Sequence, residues 1–498
     1  MTPDAIHRPP PLLLGTIAVM AVLRAVVAAS TDLVDDEAYY RLWALAPALS
    51  YYDHPPMVAW MIAAGRFLGG DNAFGIRLAT LVTGLLGPLL LWRTTLLLFG
   101  AKVAEWSVWF ALAMPLLTVG GVVITPDTPS VLFWGLTGWA MAELYASRNP
   151  TWWLVVGLCA GLGLLSKYTN LFVAAGILLW LISGPENRRH FRSWQLWAGG
   201  AVAGLLTLPV VVWNWQHGWA SFAKQFGRVT REPGFAPTYV LEFVASFIGL
   251  ASPIIAVFAA VGLWMVLKAA VARRDQPSIL LASSVLPLLG YFFVHALHAR
   301  VQPNWLAPLY PAFATCAAIA AKAGSERPGG FGARAATAAL ALGFALSALL
   351  SVHAVYPLVL RAAAKDPSSQ MRGWRAFAAE VDRLRVANGA CWIATSHYSI
   401  TGQLAYHLAA RAPVVQLNDP IRFVHLPPVS GDTRQCPALY VELVRRPPPA
   451  ELASRFGSIR SLGTLSRSDH GQRLADYSIA LLSDRLDPVI APTAPASP

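Results

Sequence analysis

The sequence predicts a polytopic α-helical membrane protein with a small α/β domain at its C-terminal end. Of its 498 residues 56% are hydrophobic and only 13% are charged, against about 25% charged in ordinary soluble domains. Apolar runs long enough to span a bilayer recur from Leu12 to Tyr356. Near Asp366 the composition changes to a mixed polar and apolar pattern. The first two observations predict the membrane part, and the third predicts a separate soluble domain.

Eleven spans of about 20 residues fit the apolar runs, and we expect about 11–13 transmembrane helices in total. The first run, Leu12 to Ser30, is longer than the apolar core of a secretory signal and has no evident cleavage site, so we interpret it as a retained helix. The two spans beside Lys167 are short, and a re-entrant hairpin is the alternative there. The spans cover approximately residues 11–30, 75–98, 104–124, 127–147, 152–166, 168–184, 194–213, 239–267, 278–296, 303–321 and 334–356.

The loops between the spans alternate in charge, which predicts their orientation. The positive-inside rule places the Lys- and Arg-rich loops in the cytoplasm. The N-terminus is then cytoplasmic, and the first loop and the C-terminal domain face the periplasm of a bacterial inner membrane. This topology explains the formal charge of +12, so no nucleic-acid partner is expected. The basic loop residues are Arg93, Lys102, Arg148, Arg188, Arg189, Arg192, Lys268, Arg273, Arg274, Lys322, Arg327 and Arg334.

A membrane domain of residues 1–360, which includes the first periplasmic loop 31–74, is predicted to precede a soluble α/β domain of residues 366–485. Strand-like runs stand at 391–395, 413–417, 438–443 and 477–482, and a helix-like stretch runs from Trp374 to Val386. The tail 486–498 has the composition of a disordered segment.

The chain has four cysteines. Cys159 and Cys316 lie in apolar segments and are interpreted as packing residues. Cys391 and Cys436 lie in the α/β domain, and they can form a disulfide if that domain is outside the cytoplasm.

The first loop is the most informative part of the chain. From Asp32 to Asp71 it has six acidic residues and two basic ones, in a basic protein. Asp36 and Glu37 begin an amphipathic stretch that predicts an interfacial helix. Asp36, with Glu37 beside it, is the candidate general base, because a base must reach the acceptor hydroxyl. Alternatively these acids cap the helix, since carboxylates favour helix N-termini.

Asp53-His54-Pro55-Pro56 follows in the same loop. The two prolines fix the backbone in an extended turn and hold Asp53 and His54 in a set geometry. His54 with nearby carboxylates can bind a divalent metal, with Asp53 as a second ligand, or it can meet a phosphate. Tyr52 can stack on a sugar ring or anchor the membrane interface.

Further polar residues fall on the outward side of the spans. Asp127 opens the fourth span between two prolines, as a helix cap or a further site carboxylate. Lys167, Arg228 and Arg300 are cations on the side where the topology disfavours them, so each can snorkel to the interface or hold a lipid phosphate. Arg231 poses the same choice.

Together these residues resemble the GT-C fold glycosyltransferases. The resemblance is closest to the bacterial branch of protein O-mannosyltransferases and lipid A aminoarabinose transferases, and it covers Leu12 to about Ala320. The aminoarabinose enzymes have Glu-Lys-Pro-Pro where this chain has Asp53-His54-Pro55-Pro56, so the resemblance does not by itself imply the same sugar or the same metal geometry. The residues that support the resemblance are Asp36, Glu37, the turn at 53–56, Asp127, Lys167 and Gln302–Pro311.

The resemblance implies a polyprenyl-phosphate-linked sugar as the donor and places Asp36 at the reaction centre. Cations among His54, Lys167, Arg228 and Arg300, or a divalent metal ion, would stabilise the departing phosphate. Asp36 would deprotonate the acceptor for an inverting displacement. The acceptor is an envelope glycolipid such as lipid A, another glycan, or a protein hydroxyl.

Two other classes compete with a membrane transferase. A transporter or flippase of lipid-linked sugars predicts ionisable residues at the membrane midplane. Here the ionisable residues are concentrated on the outer face. The spans themselves contain few of them, apart from Arg24 and Arg77. A non-enzymatic assembly protein leaves the acidic loop and the Asp-His-Pro-Pro turn unexplained. The transferase is therefore the preferred interpretation.

Overall fold

A computed structural model describes residues 8–230, 235–326, 331–358, 366–409, 411–428, 435–446, 448 and 452–486. The chain divides into two compact units. The membrane unit consists of Met1–Val26, His54–Val58 and Ala79–Ser351. The α/β unit consists of Val27–Asp53, Ala59–Leu78 and Val352–Pro498, and so it includes most of the first loop. The predicted tail from 487 onward and Arg231 lie outside the described residues.

Helices dominate the chain. In the first half they are α1 Pro11–Ser30, α2 Asp35–Leu45, α3 Met57–Gly69, α4 Ala73–Ile76, α5 Leu78–Phe99, α6 Ala101–Ala113, α7 Pro115–Thr118, α8 Asp127–Ser147, α9 Trp152–Leu164, α10 Leu171–Ile182, α11 Pro185–Arg188, α12 Trp194–Gln216 and α13 Ala220–Thr230. In the second half they are α14 Thr238–Ala251, α15 Pro253–Ala272, α16 Gln276–Ala296, α17 Tyr310–Ser325, α18 Phe331–Val355, α19 Trp374–Ala387, α20 Tyr398–His407 and α21 Leu452–Arg455. Short 3-10 helices include Pro303–Leu309, Pro367–Met371 and Pro420–Phe423.

The predicted polytopic membrane fold is confirmed. In the described part of the chain seven helices are long and apolar enough to cross a membrane, and the number rises to nine if each of two bent pairs is one span. The bent pairs are Ala101–Ala113 with Pro115–Val122 and Tyr168–Ile182 with Pro185–Arg192. The seven helices are Pro11–Ser30, Leu78–Phe99, Trp194–Gln216, Pro253–Ala272, Gln276–Ala296, Pro303–Ser325 and Gly332–Val355.

This number is smaller than the eleven spans predicted from the sequence. The predicted span 239–267 is two helices, α14 and α15, because the chain breaks at Ser252, where φ is 75°. Helix α9 has 13 residues, which is about 20 Å at the α-helical rise and is shorter than the hydrocarbon core of about 30 Å. Helix α8 is long enough, but it carries the acidic residues Asp127 and Glu143.

Small residues allow helices of the membrane unit to approach closely. A Cβ built on Gly157 of α9 would lie 2.0 Å from the carbonyl oxygen of Gly199 in α12. One built on Gly262 of α15 would lie 1.8 Å from the carbonyl oxygen of Cys316 in α17. Such contacts are typical of membrane helix pairs. Cys159 and Cys316 are both buried free thiols, as expected of packing residues.

Arg24 is a buried cation in α1, and it binds two carbonyl groups that the helices themselves leave unsatisfied. Its Nη1 donates to the carbonyl of Gly84 at 3.2 Å, since Pro88, four residues further on, has no N–H to do so. Its Nη2 donates to the carbonyl of Leu117 at 2.6 Å, at the end of the short helix α7. Arg24 therefore has a structural role in the helix bundle.

The α/β unit contains one five-stranded sheet. Its strands are β1 Trp392–Thr395, β2 Val414–Gln416, β3 Ala438–Leu443, β4 Phe456–Asp469 and β5 Gln472–Arg485, in the order β2-β1-β3-β5-β4. β1 is parallel to β2 and β3, with Ile393 opposite Val414 and Leu439. β5 is antiparallel to β3 and forms a long hairpin with β4. Four of these strands were predicted, and β4 was not.

A disulfide joins Cys391, at the start of β1, to Cys436, just before β3. The pairing that the sequence left open is therefore formed. It links the amino ends of two neighbouring parallel strands, with Cα atoms 5.6 Å apart.

Candidate active site

The acidic pattern Asp35-Asp36-Glu37 forms the first turn of α2 in the α/β unit. The carboxylate of Glu37 accepts a hydrogen bond from the backbone N–H of Val34 at 2.9 Å, so this acid caps its helix. It also receives two hydrogen bonds from Arg77, at 2.8 Å to Oε1 and 2.6 Å to Oε2. Both side chains are fully buried. The cap interpretation is correct for Glu37.

Helix α2 is enclosed by protein along most of its length. Residues Glu37 to Ala44 are all buried, and Trp43 stacks on Tyr51 with ring centroids 4.3 Å apart. The interfacial helix predicted from the amphipathic pattern is therefore wrong. The aromatic residues pack against protein, because helix α20 covers this face.

Asp36 differs from Glu37 in its surroundings. Its Oδ1 accepts a hydrogen bond from the hydroxyl of Tyr398 at 3.2 Å, and the residue is half-buried. Among the described residues no hydrogen bond to Oδ2 is seen. Burial raises the pKa of Asp36 to about 6; the Tyr398 hydrogen bond lowers it, and Asp35, Asp53 and Glu37 raise it further. Such a carboxylate can accept a proton near neutral pH.

Asp53 sits in a polar and aromatic cluster of the same unit. Its Oδ2 accepts hydrogen bonds from the hydroxyl of Tyr39 at 2.8 Å and from Nη1 of Arg422 at 2.5 Å. The guanidinium of Arg422 lies over the rings of Tyr52 and Tyr398, 5.4 Å and 5.2 Å from their centroids. Tyr52 therefore contacts a protein cation, which the sequence did not predict.

The predicted metal pair, Asp53 and His54, does not fit a metal ion. Asp53 is already bound to a guanidinium, whose positive charge opposes a second cation at the same oxygen. The described residues also contain no group of three or more His, Cys, Asp and Glu side chains arranged to hold a metal. No step of the reaction is therefore assigned to a metal ion.

The membrane unit has its own polar cluster. Nζ of Lys167 lies 2.5 Å from Oδ1 of Asp127, and Nδ2 of Asn304 donates to Oδ2 of the same carboxylate at 2.6 Å. The Lys167 and Asp127 side chains are only 9% and 12% exposed. Two residues that the sequence singled out separately thus form one buried ion pair. Their predicted contact with the donor stays a prediction.

The positions of the other predicted cations give less information about a donor site. Arg300 forms an exposed ion pair with Glu242, at 2.6 Å. Arg228 lies in α13, and its side chain is outside what the structure describes. His54 is half-buried and belongs to the membrane unit.

Several residues that organise these clusters were missed or not assigned a role from the sequence. Arg77 stood out as a charge in an apolar segment, which is the signal that could have identified it. Tyr398, Gln403 and Arg422 carry no such signal, because they lie more than 340 residues after α2 in an ordinary polar segment. Gln403 donates to the carboxylate of Asp35 at 3.2 Å and to the carbonyl of Leu33 at 2.8 Å.

Comparison with known proteins agrees with this architecture. Residues 53–213 match the dolichyl-phosphate-mannose-protein mannosyltransferase family. The structure of ArnT from Cupriavidus metallidurans in the apo state superposes with a TM-score of 0.65 at 16% identity, over 94% of this chain and 97% of that one. The same protein bound to undecaprenyl phosphate gives a TM-score of 0.62 at 17% identity, over 94% and 98%. The chain therefore has the GT-C fold of these structures.

Sequence similarity to a curated relative covers part of the chain. The lipid A galacturonosyltransferase RgtD of Rhizobium johnstonii is 31% identical over 285 residues, which is 57% of this chain and 59% of RgtD. The aligned part thus spans less than two thirds of that relative. The GT-C membrane fold and the small C-terminal sheet domain expected from the sequence are both present.

Proposed function

We propose that the protein is a membrane glycosyltransferase that moves a sugar from a polyprenyl-phosphate donor to a hydroxyl of an envelope glycolipid. The observation that carries the proposal is the half-buried carboxylate of Asp36, held at one oxygen by Tyr398, in a chain of GT-C fold. A solved structure of that fold is bound to undecaprenyl phosphate, the kind of lipid that carries the donor.

The reaction is a displacement at the anomeric carbon of the donor sugar. The acceptor oxygen forms a bond to this carbon while the bond to the phosphate oxygen breaks, and the phosphate leaves with the electron pair. Asp36 takes the acceptor proton through its carboxylate. Attack opposite the leaving group inverts the anomeric configuration. The phosphate already activates the carbon, so no nucleotide is needed.

Lys167 is our candidate for binding the donor phosphate, because it is a buried cation in the membrane unit. A lysine ammonium is a compact charge suited to a phosphate. When the donor binds, its more highly charged phosphate would replace Asp127 as the partner of Lys167. Arg300, exposed and paired with Glu242, is a weaker candidate for this role.

We assign Glu37 a positioning role in place of the catalytic role expected from the sequence. Its two carboxylate oxygens are engaged by Arg77 and by the backbone of Val34. A fully buried carboxylate whose two oxygens both accept hydrogen bonds from protein donors is not placed to contact an acceptor hydroxyl. Asp36 is the acid of this turn that can act as the base.

A uronic acid is the sugar that we favour, and lipid A or the adjoining core is the acceptor. This choice is based on the similarity to a lipid A galacturonosyltransferase. We place the reaction on the periplasmic face of the inner membrane, with the N-terminus in the cytoplasm. The distribution of loop arginines and lysines supports this orientation, as does the Cys391–Cys436 disulfide, since disulfides persist in oxidising compartments.

Mass spectrometry of envelope lipids tests the proposal. Cells that carry wild type, a deletion, Asp36→Asn or the control Asp469→Asn are compared for lipid A, core glycan and polyprenyl-phosphate sugars. Asp469 lies at the end of β4 and pairs with His470. We expect the deletion and Asp36→Asn to lose the same sugar and to accumulate its lipid-linked form.

Three other outcomes of this experiment would change or reject the proposal. Wild-type glycans in Asp36→Asn cells, with a clear defect in the deletion, would remove Asp36 from the mechanism. Unchanged glycans and donors in the deletion would reject the transferase. A lost sugar that carries an amine in place of a carboxylate would correct the sugar and leave the reaction intact.

A further inference from the structure

The helix that carries Asp36 packs directly against α20 of the C-terminal domain. Gly402 of α20 makes this contact possible, because a Cβ at this position would lie 2.7 Å from the backbone nitrogen of Tyr39. No side chain fits at such a distance. The first turn of α2 and the first turn of α20 are therefore held next to each other.

Tyr398 is the first residue of α20 and lies at this contact. Its ring packs against Tyr39 with centroids 4.9 Å apart, which fixes the direction of its hydroxyl group. The hydroxyl donates to Oδ1 of Asp36. One oxygen of the candidate base is thereby oriented, and among the described residues the other oxygen accepts no hydrogen bond.

Arg422 acts on the second acid of the cluster. It forms an ion pair with Asp53, and its guanidinium stacks on Tyr398. Its side chain is 15% exposed, so this pair is weakly screened by solvent. Arg422 therefore neutralises a carboxylate near Asp36 and supports the tyrosine that binds Asp36.

We propose that Tyr398 and Arg422 are positioning residues of the transferase site, through which the C-terminal domain sets the orientation and ionisation of Asp36. This inference rests on the proposed function. It makes the domain a required part of the reaction centre, although its strands and helices carry no catalytic motif.

The effect on ionisation follows from all the charged groups around Asp36. On α2 these are Asp35 and Glu37, and Glu37 is compensated by Arg77. Asp53 raises the pKa of Asp36, and the Tyr398 hydroxyl lowers it. Loss of either Tyr398 or the charge of Arg422 destabilises the carboxylate form. Both variants should therefore raise the pKa of Asp36.

Infrared spectroscopy of the full-length protein in nanodiscs measures this ionisation without any substrate. The carbonyl band of protonated Asp36 is followed during a pH titration and is assigned by its loss in Asp36→Asn. We expect Tyr398→Phe and Arg422→Gln each to raise the midpoint by about one pH unit, the size of a hydrogen bond to a charged group. Arg422→Lys, which keeps the charge, should restore most of the wild-type midpoint.

Tyr406→Phe and Arg411→Gln are the matched controls. Tyr406 lies on the same helix as Tyr398, and Arg411 is 60% exposed in the same domain. Thermal unfolding of each variant confirms that it folds. Midpoints in Tyr398→Phe and Arg422→Gln equal to those of the controls would overturn the proposal.

A transfer assay with undecaprenyl-phosphate galacturonic acid and purified lipid A then separates the two proposals. Activity that Tyr398→Phe loses at low pH and recovers at high pH supports the positioning role, because a purely structural defect would lower activity at every pH. A shifted midpoint in a protein whose deletion leaves envelope glycans unchanged would reject the transferase and keep the coupling of Tyr398 to Asp36.

Discussion

Arg77 and Glu37 form an ion pair whose two side chains are both 0% exposed. Arg77 also donates to the carbonyls of Ala28, Thr31 and Asp32. It therefore satisfies carbonyls at the end of α1 that no helical N–H can reach, and it holds the first turn of α2 through Glu37. The acidic turn keeps its shape because of one arginine that lies 40 residues later.

We expect removal of either partner of this pair to destabilise the fold. Arg77→Met and Glu37→Gln each leave a buried group without its partner, which costs about 3–5 kcal/mol. The double variant Arg77→Met/Glu37→Leu removes both charges and should recover part of the loss. Thermal unfolding in detergent and the yield of monodisperse protein measure the effect. A stable but inactive Glu37→Gln protein would instead return Glu37 to the catalytic residues.

Activity should depend on pH through Asp36. Its pKa is raised to about 6, chiefly by burial, and a general base acts only when ionised. We therefore expect kcat/KM to be constant above this pH and to fall about tenfold for each pH unit below it. The measurement is transfer to lipid A across this range. Asp36→Glu, which keeps a carboxylate, should keep an acid limb, and a limb that persists unchanged in Asp36→Asn would assign it to another group.

Lys167 provides a test of donor binding in the membrane unit. Lys167→Met alone leaves Asp127 buried without its cation, so loss of stability would obscure the result. The double variant Lys167→Met/Asp127→Asn removes both charges. We expect it to fold and to bind undecaprenyl phosphate about 10- to 100-fold more weakly, the value of a charge-assisted hydrogen bond. Unchanged affinity, measured beside the exposed-lysine control Lys102→Met, would give Lys167 a structural role only.

The disulfide should stabilise the C-terminal domain. Cys391 and Cys436 are 45 residues apart in sequence, and closing a loop of this size contributes about 4 kcal/mol in the chain-entropy description. Cys391→Ser/Cys436→Ser should therefore make this domain far more sensitive to proteolysis in mild urea, and a reductant should do the same to wild type. Equal proteolysis rates, with thiol labelling showing complete reduction, would contradict this expectation.

The sequence predicted the features that depend on composition and local pattern. Long apolar runs have few stable arrangements other than membrane helices, so the polytopic fold could be read directly. Short strand-like apolar runs identified four of the five strands. β4 was missed because its exposed residues, from Gly457 to Leu465, give it no clear apolar alternation. Seven to nine of the described helices are long and apolar enough to span, against eleven predicted spans, because hydropathy reveals neither the bends within 104–124 and 168–184 nor the short length of α9.

The residues of the candidate site also divide into those that the sequence could predict and those that it could not. Asp36, Asp53, Asp127 and Lys167 could be selected because charges beside apolar spans are costly and therefore informative. Their partners could not be selected. Tyr398 and Arg422 are common residue types in a polar domain. Only the packing of α20 and of the 3-10 helix Pro420–Phe423 against α2 brings them to the acids.

The sequence by itself determined that this is a polytopic membrane protein with an acidic first loop and an α/β domain, because hydrophobicity and charge act locally along the chain. The tertiary structure alone decided which acid has, among the described residues, an oxygen without a hydrogen bond and which is bound to an arginine. Asp36 and Glu37 are neighbours with the same chemistry, and they differ only because Arg77 reaches one and Tyr398 the other. Ionisation and reactivity are set by such contacts between distant parts of the chain.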